Sequence, residues 1–206
     1  MNSPSVQVDI LPSGEPVVLA THEQTLGGPD GQVYVGCRFP ASPDYAARLG
    51  RYGNAVGEAL ARRGALGRFS VDFMCPQAGN GSWDVFALEI NLRKGGTTHP
   101  YAALRNLAPG HYDIDSGQWV TLDGSPRYYE STNNLLDPSW QGRPPSEVIR
   151  AVSDAGFQFD PTSKAGVVLH ILSCLAIDGR FGLTAVGRSA VEAGELYAPT
   201  LAVISR

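Results

Sequence analysis

The chain predicts an α+β fold: a mixed, largely antiparallel sheet with flanking helices. Three observations carry that prediction. Short stretches in which apolar and polar residues alternate recur along the sequence, with turn residues between them. Only a few segments show the 3.6-residue period of a helix, and they do not alternate one for one with the strands. Hydrophobic residues make up 43% of the 206 and charged residues 17%, enough to build a core within one domain over residues 1–206.

In chain order, strands are expected over residues 6–11 and 17–20, around a Pro-Ser-Gly turn ending at Gly14. A loop over 27–31 precedes a strand over 33–39. Ser42 is placed to cap the first helix, whose apolar stripe is Tyr45, Leu49, Tyr52, Val56, Ala59 and Leu60, and which Gly64 ends. Arg48, Arg51, Arg62 and Arg63 are its solvated face. Further on, a strand is expected over 119–122, a polar and aromatic loop over 127–134, and a helix over 147–155 with Val148, Ala151 and Val152 inward. Residues 166–174 read as β, with Val168, His170 and Leu172 on one face. Asp178 to Gly182 turn the chain into a strand over 183–186. Ser189 caps a last helix through Tyr197, with Ala190, Val191 and Ala193 as its small apolar side.

The centre of the chain holds the chemistry. Strands over 67–75 and 83–93 flank Asn80-Gly81, a dipeptide suited to a two-residue hairpin turn. Such a turn sets Asp72 opposite Glu89 and Ser70 opposite Asn91, on a polar face that also carries Arg93. Phe86, Leu88, Ile90 and Leu92 go to the other face. Two carboxylates directly opposite each other repel, unless a cation offsets the charge. Carboxylate and amide oxygens suit hard Mg²⁺. The same residues also read as the solvated face of an antiparallel sheet, and a one-residue bulge would move Asp72 to the other face. Immediately afterwards comes Lys94-Gly95-Gly96-Thr97-Thr98-His99, ending in a helix capped by Thr98 and running to about Leu107. Flexible glycines before a helix N-terminus form a place for phosphate or carboxylate.

Val71-Asp72-Phe73 followed by Glu89-Ile90-Asn91-Leu92-Arg93 resembles the C-terminal half of an ATP-grasp ligase. The longer run from Glu89 to Pro100 is similar to that of pheganomycin-type peptide ligases. Outer echoes include Thr21-His22, the run from Gly36 to Pro40, residues 128–134 and the run from Gly166 to His170. The resemblance implies ATP- and Mg²⁺-dependent joining of a carboxylate to an amine through an acyl phosphate, with amino acids or peptides as substrates. It implies that Asp72, Glu89 and Asn91 hold Mg²⁺ and that Arg93 stabilises charge on the transferred phosphoryl group. Lys94, Gly95, Gly96, Thr97, Thr98 and His99 would bind phosphate or substrate. Arg68 and His170 are weaker candidates: some ATP-grasp enzymes carry an arginine two residues before the aspartate, where this chain has Ser70, and Arg68 lies four before. His170 reads first as a satisfied core histidine. The family's upstream nucleotide-gripping segment, with its own lysine, finds no match here, so the expectation is the catalytic half of a larger or a split enzyme, an N-terminal half on a second chain being one candidate partner and a truncated product the other reading. The alternative is a binding or assembly module that keeps the fold without catalysis. A metal-dependent hydrolase lacks a convincing base.

The remaining features exclude other classes. A net charge of −4 with only two lysines argues against a nucleic-acid surface. Cys37, Cys75 and Cys174 are odd in number and irregularly spaced, which reads as free thiols. No signal peptide or membrane span is read, and a cytoplasmic setting is expected.

Overall fold

The computed structural model describes residues 1–205. Its strands are β1 (Pro4–Ile10), β2 (Pro16–Gly27), β3 (Val33–Phe39), β4 (Gly67–Met74), β5 (Phe86–Asn91), β6 (Gly110–Asp113), β7 (Gln118–Thr121), β8 (Pro126–Leu136), β9 (Gly166–His170) and β10 (Arg180–Gly187). The helices are α1 (Ala46–Ala61), α2 (Thr98–Leu107), α3 (Pro145–Asp154) and α4 (Ala190–Ile204). One sheet runs in the order β5-β4-β1-β2-β3-β8-β10-β9, and the β6–β7 hairpin joins it through β8. Pairing between these strands is antiparallel throughout. The α+β expectation therefore holds.

Two cores form on this frame. In the first, Val6, Val8, Val71 and Phe73 pack with Leu49 and Ala46 of α1. In the second, Phe181, Leu183 and Val167 pack with Val148 and Val152 of α3 and Ile204 of α4. Each fully buried aliphatic or aromatic side chain contributes about 1.5–3 kcal/mol.

Several expectations are corrected. Helix α1 starts at Ala46, not at Ser42, because residues 43–45 form a turn and the amides of Tyr45 and Ala46 bond back to the Ser42 carbonyl. Its buried face is Ala46, Leu49, Gly50, Gly53 and Gly57, while Tyr52 and Ala59 are exposed. The helix lies so close to the sheet that a Cβ on Gly53 would stand 2.7 Å from Val6. A hydrophobic stripe search passes over such a glycine ridge. Residues 127–134 belong to strand β8, not to a loop. Their polar side chains are tolerated inside because Ser131 Oγ donates to the Leu183 carbonyl and Thr132 Oγ1 donates to that of Val35. The β run expected over 166–174 stops at His170, where Ile171 turns left-handed (φ 59°) into a short 3₁₀ segment, Leu172–Ala176. Leu172 therefore shares no strand face with His170. Ser189 caps α4 as expected, accepting from the Glu192 amide at 3.1 Å, but the helix continues past Tyr197 through Pro199. Of its expected apolar side only Ala193 is buried.

Candidate functional site

The β4–β5 hairpin reaches the expected pairing by a different route. Its turn is a three-residue loop, residues 79–81, with Gly81 left-handed (φ 83°) and the Ala78 amide bonded to the Ser82 carbonyl. That register alone would misalign the polar residues by one. A bulge between Phe73 and Asp72 then inserts Leu88, and from there Asp72 pairs with Glu89, Val71 with Ile90 and Ser70 with Asn91. The two offsets cancel before the polar residues are reached. The bulge also breaks the apolar face expected on β5. Phe86 pairs with Met74, on the Asp72 side, whereas Ile90 pairs with Val71 on the core side. All four apolar residues are exposed, Leu88 by 62% and Leu92 by 67%. β5 is the open edge of the sheet.

Beside this hairpin lies a cleft of about 160 Å³, with Asp72, Asn91, Arg93, Gly95, Gly96 and Thr97 on its wall. Ser5, Gln24, Tyr34 and Ser70 complete it. Asp72 is held at both oxygens: Gln24 Nε2 donates to Oδ1 at 3.0 Å and Asn91 Nδ2 to Oδ2 at 2.9 Å. Gln24 belongs to β2, and it reaches Asp72 across β1, where Ser5, the residue paired with Asp72, is small. Burial pushes the Asp72 carboxyl above its ordinary range, and the facing Glu89 adds to this. The bonds from Gln24 and Asn91 and the charge of Arg93 pull the other way. Glu89 itself is exposed, across from Asp72.

The loop after β5 is positioned by contacts that the sequence alone does not reveal. Gly96 lies flat against the Tyr34 ring, where a Cβ would stand 2.5 Å from a ring carbon. Asn133 Nδ2 donates to the Gly96 carbonyl at 2.6 Å. Gln7 Nε2 donates to Thr97 Oγ1, anchoring the start of α2 to β1. Thr97, not Thr98, is the residue before the helix, and no side chain caps it. The amide of Thr98 bonds to the Gly95 carbonyl, while those of Gly96 and Thr97 donate to no backbone carbonyl among the described residues. Gln7, Gln24, Tyr34 and Asn133 carry no recognisable spacing, since each comes from a different strand and only the sheet order brings them together.

The other candidates fall in three places. Lys94 is exposed. Arg68 turns away from the cleft, pairing with Asp9 at 3.7 Å and lying 5.2 Å over the Tyr101 ring. His99 and His170 come together as a stacked pair with ring centroids 5.7 Å apart and planes 8° apart, outside the cleft wall. His170 Nε2 is 3.2 Å from Thr184 Oγ1, and its buried Nδ1 has no hydrogen-bond partner among the described residues. Burial, followed by the neighbouring His99, pushes the His170 pKa down to about 4. No group of three His, Cys, Asp or Glu side chains converges on a point among the described residues.

Comparison with known proteins gives three findings. The family model of the PGM1 C-terminal domain matches residues 147–200. L-propargylglycine–L-glutamate ligase from Streptantibioticus cattleyicolor is 34% identical over 197 residues, covering 95% of this chain and 39% of that enzyme. Among solved structures, N5-carboxyaminoimidazole ribonucleotide synthetase from Thermus thermophilus matches 100% of this chain and 50% of its own, at 14% identity and TM-score 0.62. The corresponding synthase from Aspergillus clavatus, complexed with ATP, matches 100% and 50%, at 15% identity and TM-score 0.57. The chain thus spans about two-fifths of the curated relative (39%) and about half of these solved chains. The fold is ATP-grasp-like, and the resemblance to ligases runs along nearly the whole chain.

Proposed function

We propose that the chain is the C-terminal half of an ATP- and Mg²⁺-dependent carboxylate–amine ligase that forms a peptide or amide bond through an acyl phosphate. The observation that carries this reading is the set Asp72, Glu89, Asn91 and Arg93, in register beside the glycine loop. A relative named for joining L-propargylglycine to L-glutamate supports amino-acid or peptide substrates. The residues present suit Mg²⁺. Two facing carboxylates and an amide are hard oxygen donors, and Asp72 sits where burial and Glu89 both disfavour its charge without a cation. With two carboxylates and one amide from the protein, phosphate oxygens would complete the shell.

Mg²⁺, when bound, would neutralise charge on the phosphates. Asp72 and Glu89 would hold it, with Asn91 turning its amide oxygen inward. Gln24 keeps Asp72 oriented through Oδ1, while Asn91 would give up its bond to Asp72 Oδ2 as its amide turns. The free amides of Gly96 and Thr97 would face a phosphate or substrate carboxylate. The substrate carboxylate would attack the γ-phosphorus and release ADP. The amine would then attack the acyl carbon, losing a proton and expelling phosphate, with Arg93 stabilising the charge on oxygen. Positioning supplies most of the catalysis. The rest of a complete ligase, on the same polypeptide or on a second chain, would close over the cleft. Among the described residues no helix is long and apolar enough to cross a membrane, and the reading carries a cytoplasmic setting with it.

One observation favours the second reading, a non-catalytic binding or assembly module. The cleft, at about 160 Å³, falls below the roughly 300 Å³ usual for a small-molecule site. Calorimetric titration with a non-hydrolysable ATP analogue, with and without Mg²⁺, separates the two. Magnesium-dependent binding lost in Glu89→Gln is the result expected for the ligase. Binding indifferent to both would remove these residues from the role.

A further inference from the structure

A second cavity, of about 350 Å³, is larger than the cleft just described. Glu23 lines this cavity and its neighbour Gln24 lines the cleft. Consecutive residues of a strand point to opposite faces, so the two recesses stand back to back across β2. The cavity lies between β3, β8, the β6–β7 turn and the first turn of α4, where Ala190 and Ala193 leave room.

Its charged wall is unusual. Arg38 pairs with Glu23 on one side and with Glu130 on the other, so the three form a row across β2, β3 and β8. Glu23 is already engaged, accepting from the Ser42 amide at 3.1 Å and from the Tyr45 hydroxyl. Arg38 and Glu130 are not. They sit directly opposite each other on adjacent strands, yet among the described residues they form no ion pair within 4.0 Å, and neither side chain has a hydrogen-bond partner. Arg38 is exposed, whereas Glu130 is half-buried, and burial raises its pKa against the pull of Arg38. A guanidinium with all its donors free and a carboxylate with all its acceptors free, held apart on one cavity wall, match the two ends of an α-amino acid. The small side chains of α4 and the Tyr128 ring leave space for the substituent between them.

We propose that this cavity binds a zwitterionic amino acid, with its carboxylate on Arg38 and its ammonium on Glu130. The assignment does not depend on ligase activity at the Asp72 cleft. The test is NMR titration of the isotope-labelled chain with L-glutamate and with a matched trio: L-leucine, 4-methylpentanoate lacking the amine, and isoamylamine lacking the carboxylate. The expected result is saturable shifts at residues 38, 118, 128 and 130 with both amino acids, and at least tenfold weaker binding of the two single-charge analogues. Arg38→Gln and Glu130→Gln should each weaken L-leucine at least tenfold, with circular dichroism confirming that both remain folded. Asp72→Asn should leave it unchanged, which distinguishes this cavity from the cleft whatever becomes of the ligase reading. Equal binding of all three members of the trio, loss of binding in Asp72→Asn, or no shifts at 20 mM, an amount set on the order of weak millimolar affinity, would each overturn the proposal.

Discussion

Strands β5 and β10 lie toward opposite ends of one sheet, and the contrast between them shows how the chain divides its work. Every residue of β10 from Phe181 to Gly187 is buried, sandwiched by α4 and flanked by β8 and β9. Among the described residues β5 has no neighbouring strand on its outer side, and it is exposed at five of six positions. The first strand uses its side chains for packing. The second commits its own to an arrangement of charges that costs stability, since Asp72 and Glu89 repel. Stability and candidate chemistry are therefore separable here, and substitution can test the separation.

The largest effect is expected at β10. Phe181→Ala should destabilise the chain by about 3–5 kcal/mol in urea unfolding, through a cavity between Trp140 and the α4 side chains. Next comes a pH effect in the region between the two strands. His22 is fully buried, and burial lowers its pKa to about 3. A folded pKa below the unfolded value of about 6.5 means that its contribution is intact above pH 6.5 and is lost as the pH falls toward 3, by about 1.4 kcal/mol per pH unit. His22→Gln should flatten that part of the stability–pH curve. Ser189→Ala, which removes the α4 cap, should cost about 1 kcal/mol. The smallest stability change belongs to Glu89→Gln, within about 0.5 kcal/mol of the parent, although magnesium-dependent nucleotide binding should vanish. A Glu89→Gln chain that unfolds readily would break the contrast, because β5 would then be structural.

The same contrast explains what can be read from the sequence. The α+β class and most strands are legible, because alternation and turn residues are local signals, whereas the Asp72–Glu89 pairing comes out as expected only because a longer turn and a bulge cancel. The face of α1 is not, since a ridge made of Gly50, Gly53 and Gly57 carries no hydrophobic signature. Strand β8 reads as a loop because its Ser131 and Thr132 hydroxyls meet partners from distant strands. Gln24 and Asn133 give no signal for a related reason: each serves the candidate site from a strand remote in sequence, and one chain without its sheet order does not reveal such meetings. The stacking of His99 on His170 joins two residues that lie 71 positions apart and share no motif.

The bulge at Leu88 has a practical consequence for redesign. The turn at residues 79–81 and the pairing at Asp72 are kept in step by two single-residue adjustments that lie in series along the hairpin. Closing the turn as a two-residue loop at Asn80-Gly81 would pair Phe73 with Leu88 and absorb the bulge, so that Asp72 still meets Glu89 with no residue deleted. Keeping the bulge together with that two-residue turn would instead pass a one-residue slip down the ladder and turn Glu89 away from Asp72. The outer end of this hairpin can thus be rebuilt for length or sequence as a detachable segment, provided that its errors are corrected before Asp72.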